Sequence, residues 1–280
     1  MGWRPMRSMY LGLFLGIVAL AVAPSAASAT WSVIALDRES GQVVIASATC
    51  VSAEGLRTRG GLMSIQAVVA PGVGVAAAQA GVDRTRENQN LIYRELHEGT
   101  HPEQILELLR EDPDIERRQF AILDLQGRAA GFSGSENGDA ALAVDGQVPG
   151  TEIFFSVQGN ILASDEVVHD GVDAFLATEG ELGDRVMAAM EAADRAGGDR
   201  RCTCDTEPIP DAQCTAKTSH VAYIVIADPD DPPGDSHNDG DYFLFTDVDD
   251  ENIRPHEDAN PVVTLRMRYD EWKTEQQAGR

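Results

Sequence analysis

Lysine is almost absent: Lys217 and Lys273 are the only two in 280 residues, and Lys and Arg together number 22 against 46 Asp and Glu. A formal net charge of −24 repels phosphate backbones and anionic lipid, which argues against nucleic acid or a membrane surface as partner. Aromatics are only 6% of the chain, so the core must be mainly aliphatic, and 43% hydrophobic residues suffice for that. There is no P-loop, G-x-S-x-G, H-E-x-x-H or dinucleotide fingerprint. There is also no internal repeat and no long linker, so residues 30–280 read as a single domain.

Long apolar runs are absent too, with one exception at the start. Arg4 and Arg7 precede an apolar run from Met9 to Ala23, which Pro24 breaks before Ala27-Ser28-Ala29. The run is shorter than the roughly 20 residues of a spanning helix and ends in an A-x-A cleavage signal. Residues 1–29 therefore read as a signal peptide, and the protein as exported to the periplasm or outside the cell, with no membrane span after cleavage. Cleavage after Ala29 makes Thr30 the first residue. A threonine with a free α-amine carries a nucleophilic hydroxyl and a base on one residue.

Thr30–Asp37 and Gln42–Thr49 are rich in strand formers around an Arg38–Gly41 turn. If Asp37 faces Gln42, Ile34 lies opposite Ile45, Ser32 opposite Ser47 and Thr30 opposite Thr49, which puts Cys50 beside Thr30. Ile65–Val69 and Val73–Ala78 predict a second hairpin around Pro71-Gly72. Helices are expected over Thr85–His97 and Pro102–Arg110, then strands over Gln119–Asp124, Ala129–Ser133 and Glu152–Val157, the last closed by Gln158-Gly159-Asn160. Helices over Asp165–Ala177 and Leu182–Ala196 follow, then strands over Val221–Ala227 and Tyr242–Thr246. Residues 228–241 read as an acidic loop and Pro261–Lys273 as a C-terminal helix. Strands alternating with helix pairs suggest a layered α+β domain.

Five features in order resemble a bacterial family of unknown function, DUF1028, placed among the N-terminal-nucleophile (Ntn) hydrolases. They are the Thr30-Trp31-Ser32-Val33-Ile34-Ala35 opening, the small-residue partner strand around Ser47, and Glu116-Arg117-Arg118-Gln119 before a strand with Asp124-x-x-Gly127. Val157-Gln158-Gly159-Asn160-x-Leu162 and Gly197-Gly198-Asp199-Arg200-Arg201 complete the set. The resemblance implies a four-layer αββα sandwich with the N-terminal residue at the mouth of the sheets, and it implies no substrate. The chain departs from the family pattern where Cys202 to Cys214 are interposed before Lys217-Thr218-Ser219-His220.

The expected activity is hydrolysis of a small amide or peptide-like substrate through Thr30. The α-amine, with a reference pKa of about 7.7–8.0, needs a neighbouring cation to be neutral at pH 7. Lys217 is the first candidate, with Arg57 or Arg59 as substitutes. Asp199, after two glycines, reads as a carboxylate that binds the amine or orients water. Gln158 and Asn160 read as a strand end offering oxyanion donors, and Gln79 as a weaker candidate of the same kind. The alternative is a non-catalytic envelope binding module for peptidoglycan or peptides. A third possibility is a structural envelope protein stapled by disulfides. No cofactor or metal is expected, and a homo-oligomer is allowed.

Four cysteines in an exported protein read as two disulfides. Cys202 and Cys204 are too close to pair with each other, so Cys50 takes one of them and Cys214 the other. The rival is a zinc site of Cys202, Cys204, Cys214 and His220. Asp235 to Gly240 half-resembles a calcium loop, but Thr246 stands where a bidentate Glu is needed.

Overall fold

The computed structural model describes residues 1–2 and 30–278; residues 3–29, with the Ala27-Ser28-Ala29 motif and the expected cleavage site, and residues 279–280 lie outside the described residues. Strand formers at period two build β1 (Thr30–Asp37) and β2 (Val43–Thr49). The turn between them is closed by the Asp37 carboxylate, which accepts the Glu39 amide at 3.0 Å and the Ser40 hydroxyl at 2.8 Å, and Gly41 supplies a φ of +77°. The register is the expected one: Thr30 faces Thr49, Ser32 faces Ser47 and Ile34 faces Ile45.

The chain continues through α1 (Ala53–Arg57), α2 (Leu62–Gln66), β3 (Ala67–Ala70), β4 (Gly74–Ala80), α3 (Glu87–His97) and α4 (Pro102–Leu109). Then come β5 (Arg118–Asp124), β6 (Ala129–Ser133), β7 (Leu142–Gln147), β8 (Ile153–Asn160), α5 (Glu166–Ala177) and α6 (Leu182–Arg195). Finally β9 (Val221–Ala227) and β10 (Leu244–Asp249) precede α7 (Pro261–Ala278). Local chemistry sets the helix starts. Pro102 opens α4 behind the His101 ring, which accepts the Glu103 amide, and α6 opens with a reciprocal Glu181–Asp184 capping box.

Two antiparallel sheets result, in the orders β10-β9-β2-β1-β8-β7 and β3-β4-β5-β6. Alternation along the central strands decides what each face meets. On β1, Trp31, Val33 and Ala35 pack against residues of α5, α6 and α7, including Val168, Phe175, Met187, Met190 and Leu265. Ile34 and Leu36 pack the other way, against Ala67, Val69, Val75, Ala121 and Leu123 of the smaller sheet. That sheet turns its second face, with Val68, Ala76, Phe120 and Ile122, to Ile92, Leu96, Ile105 and Leu109 of α3 and α4. Each buried aliphatic of this size is worth about 1.5–3 kcal/mol in transfer terms.

Some elements differ from expectation. Ile65 and Gln66 close the helical turn of α2 rather than opening a strand, because Leu62, Ile65 and Gln66 are all buried at helical spacing. Strand β8 does not stop at Val157: Gln158, Gly159 and Asn160 pair with Ser32, Trp31 and Thr30. Strand β7 was not anticipated, since its sequence Leu-Ala-Val-Asp-Gly-Gln is half-exposed and edge-like, pairing only with β8. Strand β10 lies two residues later than expected, and α7 runs past Lys273 to Ala278. Residues 228–241 form no strand or helix and cross to the smaller sheet, where Asn238 donates to Met63 O and Ala67 O and His237 O accepts the Val69 amide.

Candidate active site

The inward positions of β1, β2 and β8 change character along their length. At one end they are Ile34, Leu36, Val43 and Ile45; at the other they are Thr30, Ser32, Ser47, Thr49, Gln158 and Asn160, all buried. The smaller sheet and α2 answer with Gln66, Gln79 and Gln119, also buried. Buried amides must find partners, and here they find one another. Gln79 is the hub: its Oε1 accepts the Ser32 hydroxyl at 2.8 Å and Gln66 Nε2 at 2.6 Å, and its Nε2 donates to Gln119 Oε1 at 2.7 Å and Thr30 O at 3.2 Å. Gln119 Nε2 reaches Gly159 O at 2.8 Å, and the Tyr223 hydroxyl donates to Gln66 Oε1 at 2.9 Å. Burial pushes the Tyr223 phenol well above its ordinary range, so it stays a neutral donor.

Thr30 stands at the mouth of this network, 2% exposed, between Thr49 and Asn160. Its hydroxyl donates to Thr49 Oγ1 at 3.3 Å. Asn160 Nδ2 donates to Thr30 O at 3.4 Å and to Gln119 Oε1 at 3.2 Å. Asn160 and Gln79 thus both donate to the backbone carbonyl of Thr30. Gln158 lies within β8, opposite Ser32 rather than at a strand end, and donates to Ser32 Oγ at 3.4 Å and Ala77 O at 3.3 Å. The acceptor oxygens Asn160 Oδ1 and Gln158 Oε1 are buried and take no hydrogen bond. A cavity of about 10 Å³ lies against Thr30, lined also by Ile65, Gln66, Gln79, Ala80 and Val82, on the order of the room a single water needs.

Asp199 is fully buried nearby. Its carboxylate accepts the Cys50 amide at 2.9 Å and both the Arg201 amide and guanidinium, the latter at 2.6 Å. It braces the chain next to Thr49, and its hydrogen-bonding capacity goes to these groups. Lys217 is not brought to Thr30. Its ammonium pairs with Asp250 at 2.8 Å and donates to Pro208 O at 3.0 Å, and Asp250 also sits 2.9 Å from His220 Nδ1. A buried lysine in a chain this poor in lysine finds a buried carboxylate. Arg57 pairs with Glu251.

Cys50 is bonded to Cys202 and Cys204 to Cys214, so the cysteines pair across the two groups as expected. The zinc reading on Cys202, Cys204, Cys214 and His220 is overturned. Cys204 and Cys214 bridge each other, and His220 instead shares a 4.8 Å neighbourhood with the sulfurs of the Cys50–Cys202 bridge. Among the described residues no helix is long and apolar enough to cross a membrane.

Beyond Ala80 and Val82 a cleft of about 860 Å³ opens between the β4–α3 and α4–β5 connections. Ala80 and Arg86 beside it hold left-handed backbone, at φ 72° and 64°, which costs a non-glycine residue about 1–2 kcal/mol. Gly81 is required here, because a Cβ would lie 2.8 Å from Arg117 O. The wall is cross-braced: Arg118 bonds Asp112 at 2.8 Å and Gly81 O at 2.7 Å, while Asp83 accepts the Thr85 and Asn88 amides. Burial pushes both carboxyls up, yet these hydrogen bonds outweigh it and hold Asp83 and Asp112 below the usual range.

The amide hub escaped the sequence reading, apart from Gln79 as a weak candidate. The available signal was polar residues at inward strand positions, Thr-x-Ser, Ser-x-Thr and Gln-x-Asn, in strands otherwise aliphatic.

A model of the family of unknown function DUF1028 matches residues 30–206. Among solved structures, the chain is similar to protein SPO2555 from Silicibacter pomeroyi, also assigned to the DUF1028 model. The TM-score is 0.61 at 24% identity, over 87% of this chain and 89% of that one. No curated protein matches.

Proposed function

For this chain, which belongs to the DUF1028 family, we propose an exported amidohydrolase of the N-terminal-nucleophile type, with the sheets and helices read as that superfamily's four-layer αββα sandwich. The observation that carries the reading is the setting of Thr30. It is the first residue of the central strand, it directly follows an A-x-A motif, its carbonyl is clamped by Gln79 and Asn160, and its hydroxyl lies at the polar mouth between the sheets.

Removal of residues 1–29 frees the Thr30 amine. The hydroxyl Oγ attacks the carbonyl carbon of an amide, and the amine takes the hydroxyl proton and passes it to the departing nitrogen. Water then attacks the resulting ester, returning Oγ–H to Thr30 and releasing the acid. The unused acceptor Asn160 Oδ1, on the residue paired with Thr30, is suited to receive an N–H of the freed amine. Because Lys217 and Asp199 are spent on other partners, they serve as framework rather than as chemistry. The substrate is a small amide or peptide, in keeping with an exported protein near cell-envelope material.

The test is N-terminal sequencing of the secreted protein, followed by treatment with an electrophilic β-lactone. The expected product begins Thr30-Trp31-Ser32 and carries one acyl group on Thr30, and Thr30→Ala carries none. A mature chain beginning elsewhere, or equal labelling of the Thr30→Ala protein, refutes the mechanism.

The commitment of Lys217 to Asp250 and Pro208 O, and of Arg57 to Glu251, favours a second reading, a binding module that keeps the fold without turnover. It predicts ligand binding with no acyl adduct.

A further inference from the structure

The cleft beside Thr30 is unlike the rest of the surface. In a chain with about twice as many acidic as basic residues, basic and acidic side chains line it in equal numbers. Six are engaged: Asp112 and Asp114 with Arg118, Asp83 with backbone amides, Arg94 with Glu95, and Arg117 with a partner of its own. Four are not. Arg59 and Arg84 line the cleft with no hydrogen-bond or ion-pair partner for their guanidinium groups among the described residues, and Glu87 and Glu111 line it with none for their carboxylates.

The Arg side of the cleft is arranged at a cost. Arg86, in left-handed backbone, donates to Asp83 O and, at 2.8 Å, to Arg59 O. This holds one guanidinium close to the segment that carries another, and burial lowers the Arg86 pKa, with the attraction of Asp83 opposing the fall and the repulsion of Arg59 adding to it. Guanidinium groups with no acid of their own, as at Arg59 and Arg84, favour an incoming anion. A volume of about 860 Å³ is in the range of small-molecule sites, and it is ample for a few amino-acid residues.

We propose that this cleft binds a short peptide-like molecule bearing both charges of a free peptide, its carboxylate held by Arg59 and Arg84 and its ammonium by Glu87 and Glu111. Ala80 and Val82 border both the cleft and the cavity at Thr30, so a peptide bond of an occupant seated against them lies on the side of the cleft that faces the candidate nucleophile. Turnover of that bond rests on the amidohydrolase reading; binding does not. Planar guanidinium groups suit a carboxylate bidentately, and the braced Asp83–Arg118–Asp112 wall behind them is preorganised.

The test uses the purified secreted protein, immobilised, and three randomised tripeptide libraries: with free ends, N-acetylated, and C-amidated. Peptides retained from each are identified by mass spectrometry, and the dissociation constants of the best binders are measured by calorimetry. Free-ended peptides are expected to bind at least about tenfold more tightly than either blocked form. The Arg59→Gln/Arg84→Gln protein should lose the preference for a free carboxylate, and Glu87→Gln/Glu111→Gln the preference for a free amine. Both replace half-exposed or exposed side chains, and an unchanged melting temperature certifies the fold. Thus peptide binding without acylation would leave this inference standing and remove the amidohydrolase, whereas acylation without a charge preference would do the reverse. Equal retention of all three libraries, retention of none, or paired variants indistinguishable from the parent overturns the proposal.

Discussion

The two ends of the seam between the sheets are built from the same strands and held by opposite means. At the end near the β1–β2 turn, Ile34, Leu36, Val43 and Ile45 meet Val69, Val75 and Leu123, and stability comes from area removed from water, with little demand on direction. At the Thr30 end, Ser32, Gln66, Gln79, Gln119 and Asn160 meet one another through directed hydrogen bonds. There the net gain per bond is only about 0.5–1.5 kcal/mol, but an orphaned group costs about 1–3. A hydrophobic end tolerates repacking; an amide end fixes one geometry. The latter is what a positioned Thr30 requires. The polar end is also the one with a covalent staple, since Cys50 follows Thr49 directly and is bonded to Cys202.

Cutting that staple should be the largest single blow to the polar end. The Cys50–Cys202 bond spans 152 residues, whereas Cys204–Cys214 spans 10. Loop entropy then gives roughly 5 kcal/mol for the first and about 2.7 for the second. Paired Cys→Ser variants should show this ranking in urea unfolding midpoints, and an equal or reversed ranking would break the account.

Single side chains sharpen the contrast further. Leu36→Ala at the apolar end should cost about 2–5 kcal/mol through cavity formation. Gln79→Met at the polar end should cost about 2–4 kcal/mol although it scarcely changes volume, because Ser32 and Gln66 each lose an acceptor. The coupling should differ as well. Gln79→Met combined with Gln66→Leu should cost less than the two changes added, because the second removes a donor that the first orphaned. Leu36→Ala with Val69→Ala should show no such relief. Additive losses at both ends would mean that the amide network is not cooperative.

The same contrast governs how much was legible in the sequence. Strands β1, β2 and β9 are nearly continuous runs of strand formers buried on both faces, and such runs gave their own limits, while the β1–β2 register followed from setting Asp37 against Gln42 across the turn. The Gln-Gly-Asn end of β8 reads as a turn by composition, and only pairing with Trp31 and Thr30 makes it strand. Tertiary context overrides local preference there. Edge strand β7 carries Asp145 and Gly146, and that glycine is needed because a Cβ would lie 2.6 Å from the Phe155 ring, a constraint no local pattern reveals. In the site, Thr30 and the Cys50 pairing followed from the register, whereas the partner of Lys217 did not. Asp250 is 33 residues away, and which buried carboxylate claims a buried ammonium is decided by folding alone.

The smallest effect separates the uncharged amide network from the charged wall of the neighbouring cleft. Amides do not titrate, so acid should reach the wall first. Asp112, bonded to Arg118 and Asn88, is held in the folded protein below the ordinary aspartate value of 3.8. A carboxyl depressed by folding stabilises above its unfolded value, and that contribution is lost as pH falls through the folded one. The window is therefore below about 3.8. Asp194 runs the other way: burial raises its pKa despite the Thr218 and Asn260 hydrogen bonds, so its protonation favours the folded state as pH drops, and the melting curve of the parent alone mixes the two signs. Comparison with Asp112→Asn isolates the wall. At pH 5 the variant should be less stable than the parent by on the order of 1 kcal/mol, and the difference should shrink as pH is lowered past 3.8. Gln79→Met, measured beside it, should keep the same deficit throughout. If the Asp112→Asn deficit instead stays constant into acid, the ion pair with Arg118 contributes nothing that protonation removes, and the wall is held by packing.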